Sequence, residues 1–447
     1  MKIKILSLST LVLLQSVNSS ASVSVEQANK LGVELTPVGA EMKGNSAGSI
    51  PAYTGGLSKN LSVDPLKDVY AGEDPLFVIT SNNLSKYKQN LSEGQIALFN
   101  KYPNTYKMPI YQTHRSASFS KEIHAKAKKN ALETQLVDGG NGLKNFDETI
   151  PFAMPKTGVE VIWNHVSRYR GGSLERSKAQ MPVHANGHYI TVRASERFIT
   201  PQYLKEGFSE KYDDNILFYY TQAIKSPARL TGNVLLVHET IDQVKQPRMA
   251  WAYNAGHRRV RRAPQIGYDA PAQGSEGLKT TDQVDMYNGA PDKYNWKLIG
   301  KQEMYVPYNS YKLSDPKAKY DDIVMAGHIN QDYTRYELHR VWKVEATLKE
   351  GERHIYGKRT FYIDEDSWQI SIADQYDNRG EIWRVSEGHP LQFVNADTFL
   401  YISSTVYDLF SGRYVVDLMN EEKNALNFGK EMSRLAFTTG ALRRKGR

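Results

Sequence analysis

The stretch Lys358 to Glu387, KRTFYIDEDSWQISIADQYDNRGEIWRVSE, decides the fold. Short runs of β-branched and aromatic residues are cut there by turn formers, which predicts strands over His354 to Ile363, Trp368 to Tyr376 and Glu381 to Glu387. Asp377-Asn378-Arg379-Gly380 is a strong hairpin turn between the last two, and Asp364-Glu365-Asp366 serves as a turn between the first two. Outward from there the texture recurs in Val159 to His165, Gly187 to Ala194, Asn233 to Thr240, Arg248 to Tyr253, Arg258 to Arg262, Tyr336 to Leu348 and Thr398 to Leu409. Ten strands with sequential turns predict an antiparallel sheet. A single expected helix among them, Asp213 to Ala223, is too little for the strand-helix alternation of a parallel fold. The fold class is therefore mainly β, of α+β type.

Side-chain alternation indicates what the sheet does. In Tyr336 to Leu348 one face is mostly apolar while Glu337, His339, Lys343 and Glu345 fill much of the other, which predicts a sheet with one wet face. Met249, Trp251 and Tyr253 share parity against Ala250 and Ala252, and such a pairing of large and small faces suits a curved sheet wrapping something. Upstream, residues 25 to 90 are rich in turn formers and read as an extended arm. Helices are expected over Leu91 to Tyr102, where Ser92 and Gln95 have capping-box spacing, and over about Ser120 to Val137. The chain thus divides into an export signal at 1–21, an arm with covering helices at 22–150, a sheet body at 151–410, and a helical segment with a basic tail at 411–447.

The chain has 447 residues, 40% hydrophobic and 24% charged, enough for an ordered core and unlike disordered or collagen-like sequences. Cysteine is absent, which excludes disulfides, thiolate metal sites, a cysteine nucleophile and lipidation through an N-terminal cysteine. Lys2 and Lys4, the apolar run Ile5 to Leu14 and the small residues Ser19, Ser20 and Ala21 read as a signal cleaved near Ala21, which in a Gram-negative cell means the periplasm; the alternative, an uncleaved anchoring helix, is disfavoured because the apolar run is short for spanning. Without residues 1 to 21 the formal charge falls from +8 to +6, and Arg443, Arg444, Lys445 and Arg447 supply four of those charges. The body is near neutral, so nucleic acid is not an expected partner, and the tail is a solvated end, a peripheral contact with anionic membrane, or a contact with an acidic partner.

No catalytic set has convincing spacing. Asp321-Asp322 and Asp364-Glu365-Asp366 fall in expected turns, no HExxH, GxSxG or phosphate loop occurs, and His165 beside Trp163 and Arg168 reads as structural. No metal and no cofactor is expected. Arg258, Arg259, Arg261 and Arg262 form the densest internal charge cluster, and strand parity divides them between two faces. One pair then faces water, while the other meets neighbouring carboxylates or an anionic headgroup. The aromatics Trp163, Trp251, Tyr253, Trp342, Phe361, Trp368 and Trp383 read as ordinary core or, in a carrier, as the lining of a hollow. Met249, Trp251, Tyr253, Phe361 and Trp368 are the expected wall of a hydrophobic hollow, with the four arginines at its rim.

Several segments resemble the exported proteobacterial family called domain of unknown function 1329, and the resemblance covers almost all of the chain beyond the signal. They are Thr36 to Glu41, Ile50 to Gly56, Ile162 to His165 with Arg168 to Gly171, Arg258 to Pro264, and Lys358 to Trp368. That family is similar in fold to the periplasmic lipoprotein carrier of the Lol system and its outer-membrane receptor, a likeness confined to roughly residues 155 to 410. The resemblance implies an unclosed half barrel of curved antiparallel sheet around acyl chains, and genes often adjacent to outer-membrane barrels and RND-type exporters. Two departures stand out: the N-terminal arm is extra and would cover or plug the hollow, and the receptor's lipidated cysteine is missing. The resulting expectation is a non-catalytic periplasmic carrier of lipid or another hydrophobic molecule, moving it toward the outer membrane. The alternatives are a scaffold docking on an outer-membrane barrel or RND-type exporter, and a hydrolase with an unrecognised site.

Overall fold

The protein is described by a computed structural model over residues 22–57, 64–263, 269–419 and 426–446. One large, curved, unclosed sheet dominates it. From one edge its long strands are Tyr294–Pro307, Tyr336–Leu348, Lys358–Asp364, Ile370–Tyr376, Ile382–Phe393, Thr398–Asp408 and Tyr414–Leu418. The chain's earlier strands then continue the order: Ser173–Val183, Val192–Ile199, Ile216–Ser226, Val234–Thr240, Met249–Asn254 and Arg259–Arg262. The two blocks join where Tyr414 to Leu418 runs antiparallel to Ala179 to Val183. Every neighbouring pair in this run is antiparallel, as the sequential turns require.

Following partners across the ladder separates two faces. Phe361 pairs with Ala373, Ala373 with Ser386 and Ser386 with Val406, and the same face passes through Asp417 and Gln180 to Lys178 and Arg176. On this inner face, helix Gly158–Ser167 packs with Phe361, Ile363, Trp368 and Ile370 in one buried cluster. The outer face carries helix Glu93–Lys101, whose Leu98 and Phe99 cluster with Val385, Tyr407 and Tyr414. Ser92 caps that helix as expected: its Oγ accepts from Gln95 N at 3.0 Å and Gln95 Oε1 accepts from Ser92 N at 3.1 Å.

Several expectations need correction. Val159 to His165 is not a strand but part of helix Gly158–Ser167, closed by a Thr157–Glu160 capping box. Its apolar residues lie on nearly every side because the helix is buried nearly all round, and period alone does not distinguish that from a buried strand. Conversely, the helix expected over Asp213 to Ala223 is mostly strand: one helical turn, Glu210–Asp213, ends where it was to start, and strand Ile216–Ser226 follows, whose ILFYYT run has strong β preference. The second covering helix spans Lys121–Glu133 and stops early, because Gln135–Val137 pairs with Gly142–Lys144. The strand expected at Gly187 to Ala194 lies at Val192–Ile199, and strands Ser173–Val183, Tyr294–Pro307 and Tyr414–Leu418 were not anticipated.

The wet face is also largely dry. Glu337 and His339 are buried because chain segments around His114 and Asn309 lie over them. Glu337 accepts from Arg335 Nε at 2.7 Å, from His114 N at 2.7 Å and from Asn309 Nδ2 at 2.9 Å. The N-terminal segment clamps the inner side as well: Trp368 Nε1 donates to the Val38 carbonyl at 2.9 Å, and Arg115 Nη2 donates to the Glu41 carbonyl at 2.8 Å. One half of the inner face is therefore packed solid. The other half is not.

Candidate binding cavity

A cavity of about 450 Å3 lies between the inner face of strands Ser173–Val183 to Met249–Asn254 and a strap that includes Ala263 and residues 270–288. Its floor is a register row: Arg176 pairs with Glu196, Glu196 with Gln222, Gln222 with Leu235, Leu235 with Ala252, and Ala252 with Arg261. A second row runs Leu174, Phe198, Tyr220, Val237. Directly opposed residues share a face, so these rows place their side chains together. Along these rows polarity therefore changes, from charged at Arg176 and Glu196 to apolar at Leu235, Val237 and Ala252.

The charged end is an ion-pair chain. Arg176 Nε donates to Glu196 at 2.7 Å, Lys178 Nζ lies 3.4 Å from Glu196 and 3.8 Å from Asp417, and Lys279 Nζ from the strap meets Asp417 at 2.7 Å. Tyr220 and Gln222 also donate to Glu196, at 2.7 and 3.0 Å. Burial alone would raise the Glu196 carboxyl, but Lys178 and Arg176 overcome it and hold the group well below the usual carboxylate range. Burial likewise opposes charge on Lys178, and Asp417 and Glu196 reverse that, so its ammonium is favoured.

Asp285 fastens the strap to the end of helix Gly158–Ser167. It accepts from Arg168 Nη2 at 2.6 Å and Arg170 Nε at 2.9 Å, while its carbonyl lies 2.8 Å from His165 Nε2. His165 Nδ1 accepts from Ile370 N at 3.1 Å, and burial followed by the repulsion of Arg168 lowers its pKa to about 3. His165 is thus a neutral structural imidazole. Arg248 pairs with Glu239 at 2.7 Å beside Asn288 of the strap.

The expected wall residues are placed differently. Phe361 and Trp368 are fully buried in the solid half of the inner face and do not reach the cavity. Met249 and Trp251 point to the outer face, where they pack with Leu236, Phe437 and Leu442 of the C-terminal segment. Tyr253 borders the cavity, yet its ring lies against Gly446, whose added Cβ would stand 2.2 Å from it. The parity is as anticipated and its direction is reversed: the small side chains, Ala252 above all, face the hollow. Of the four arginines, all exposed, Arg261 pairs with Ala252 and Arg259 with cavity-lining Asn254, so these two share the inner face. Arg262 pairs with Trp251 on the outer face, and Arg258 sits in the turn with φ of 51°.

The ion-pair residues Arg176, Lys178, Glu196, Lys279 and Asp417 were missed. A signal existed in Ser173–Val183, SLERSKAQMPV, where Arg176, Lys178 and Gln180 alternate with Ser177, Ala179 and Met181 at strand period.

Two other features compete for attention. A hollow of about 710 Å3 lies beneath residues 51–57 and 67–70, lined by Tyr70, His114 and Arg115 among others. Although larger, it is bounded by irregular chain on both sides, whereas the sheet cavity has a rigid floor. His339, Asp364 and Asp366 bring possible metal-donor atoms within 4.8 Å of one another. Arg115 already grips Asp366 at 2.7 and 2.8 Å and supplies the countercharge. Burial, then the charge of Asp366, pushes the Asp364 carboxyl up to about 7.

A family model described as protein of unknown function (DUF1329) matches residues 78–443. The uncharacterized protein PA3922 of Pseudomonas aeruginosa is 55% identical over 431 residues, covering 95% of this chain and 94% of its own. A DUF1329 family protein from Desulfovibrio piger has 15% identity and a TM-score of 0.41, covering 61% of this chain and 91% of that one. A LolA superfamily protein from Nitrosomonas europaea has 11% identity and a TM-score of 0.39, covering 64% and 99% respectively.

Proposed function

Because the chain belongs to the DUF1329 family, whose description assigns no activity, we propose its role from the cavity itself: a non-catalytic carrier that binds a lipid or another hydrophobic molecule. The carrying observation is the hollow of about 450 Å3 between a rigid sheet and a fastened strap. This size lies within the roughly 300–1,000 Å3 of small-ligand sites. Phe198, Phe218, Leu235, Val237 and Ala252 offer an alkyl chain an apolar wall. Each CH2 buried there contributes about 0.8 kcal/mol, so a long chain binds usefully without polar contacts. A scaffold would have no need of such a space.

Export belongs to the same reading. The signal-like residues 1 to 21 lie outside the described residues, and among those described no helix is long and apolar enough to cross a membrane. A carrier working in the periplasm, delivering toward the outer membrane, uses a chain that starts near Ser22.

Titration of a fluorescent fatty acid tests the carrier role. Wild type should bind it saturably, and Ala252→Trp, which projects a ring into the cavity from the floor, should lose that binding while keeping its circular dichroism. Absence of saturable uptake by the wild type, together with no co-purifying lipid in native mass spectrometry, would overturn the reading.

A further inference from the structure

Charge around the cavity, buried or half-buried, does not balance. Its lining and the groups directly paired with it hold six cations, Arg168, Arg170, Arg176, Lys178, Arg248 and Lys279, against four carboxylates, Glu196, Glu239, Asp285 and Asp417. Uncompensated charge away from water is costly, and a ligand of opposite sign relieves it. We propose that the cavity is built for an amphiphile with an anionic head, a carboxylate or a phosphate, seated against Lys178 with its alkyl chain lying toward Leu235, Val237 and Ala252. This rests on the carrier reading above and specifies the class of cargo.

Three observations converge on Lys178. Its neighbours are engaged closely, Arg176 by Glu196 and Lys279 by Asp417, both at 2.7 Å, whereas Lys178 holds its two carboxylates only at 3.4 and 3.8 Å. Its side chain is 10% exposed while lining the cavity, so what solvent it meets is the cavity's. Gln180, two positions along the same strand, and Gln222, two strands away, add polar groups to the same lining. The head is thus placed at Lys178, because the other charged pair of the lining, Arg248 with Glu239, is closed at 2.7 Å, and Leu235, Val237 and Ala252 are apolar. Arg170 shows the same surplus: burial and then the repulsion of Arg168 bring its guanidinium down to about 10. Outside, Arg259 and Arg261 stand exposed on the inner face at the sheet edge, where they attract an anion toward the mouth.

The test compares four probes of equal chain length as competitors of the bound fluorescent fatty acid: hexadecanoate, hexadecyl phosphate, hexadecanol and hexadecyltrimethylammonium, each below its aggregation concentration. Both anions, or one of them, should compete at concentrations about tenfold or more below the alcohol, with the ammonium weakest, and the better anion identifies the source of the charge. In Lys178→Gln that advantage should shrink to about threefold or less with the alcohol unchanged, while Lys178→Arg retains it. Equal competition by alcohol and anions in the wild type overturns the anionic head and leaves the carrier role intact. Failure of all four, and of the fluorescent acid itself, instead removes the carrier role. Should Lys178→Gln not fold, the wild-type comparison of anion with alcohol decides alone.

Discussion

Glu387 offers a quantitative check on how the outer helix is held to the sheet. Its carboxyl is fully buried on the outer face, accepting from Gln95 Nε2 at 3.1 Å and from the Tyr336 hydroxyl at 2.9 Å. Burial dominates and pushes it up to about 7, with Asp374 adding repulsion and the two hydrogen bonds opposing. In the unfolded chain the same group titrates near its ordinary 4.5. Between these values the native state holds a proton that the unfolded state has released, so stability falls as pH rises through the window and is level on either side. The difference of about 2.5 units corresponds to about 3 kcal/mol.

Glu387→Gln keeps the shape and removes the titration. Its stability should therefore exceed that of wild type by an amount that grows by about 3 kcal/mol between pH 4.5 and pH 8. Urea unfolding followed by tryptophan fluorescence across that range gives the difference directly, and subtraction cancels the histidines and other groups common to both chains. Identical pH slopes in the two proteins, or a wild type that gains stability relative to the variant as pH rises, would refute the buried-acid account.

Asp374, also raised to about 7 chiefly by burial, accepts from Ser92 Oγ at 2.9 Å, and Asp374→Asn should flatten the same window in urea titrations. Gly94→Ala would set a Cβ 2.2 Å from Asp374 Oδ1 and 2.7 Å from Val385 Cγ2, so despite alanine's helix preference it should destabilise by about 1–3 kcal/mol in equilibrium unfolding. Arg115→Met strips Asp366 of its bidentate partner and should cost about 3–5 kcal/mol, most of it recovered by the double variant with Asp366→Asn. Trp251→Ala should speed hydrogen exchange across residues 434–446, which it packs against, while fatty-acid uptake stays near wild type. Intact mass of protein taken from the periplasm should lack about the first 21 residues.

Legibility of the sequence tracked how far each strand obeys the pattern of a half-buried sheet. Lys358–Asp364 and Ile370–Tyr376 were readable because aromatic and β-branched residues alternate there between clear turn formers. Helix Gly158–Ser167 was not, since a helix buried on nearly all sides loses the polar stripe that marks its period. The parity of Met249 to Tyr253 was legible, yet its direction depended on Phe437 and Leu442, some 190 residues away, covering the aromatic side. Ser173–Val183 failed for a different reason: Arg176, Lys178 and Gln180 occupy positions that face inward, where pattern reasoning demands apolar residues.

Those inward charges set the site apart from the rest of the same face. Over the filled half, Phe361, Ile363 and Ala373 meet helix Gly158–Ser167 as an ordinary apolar core. Across the ladder from them, the sheet continues without a break into Asp417, Lys178, Arg176 and Glu196, and there the strap of residues 270–288 lies over a cavity instead. Filling that half with leucine and valine would have been easier for folding, because each buried ion pair bears a desolvation cost that apolar packing avoids. A wall that keeps a charged end beside an apolar end, and carries more cations than carboxylates, therefore breaks the local rules in a way that ligand binding explains and stability does not.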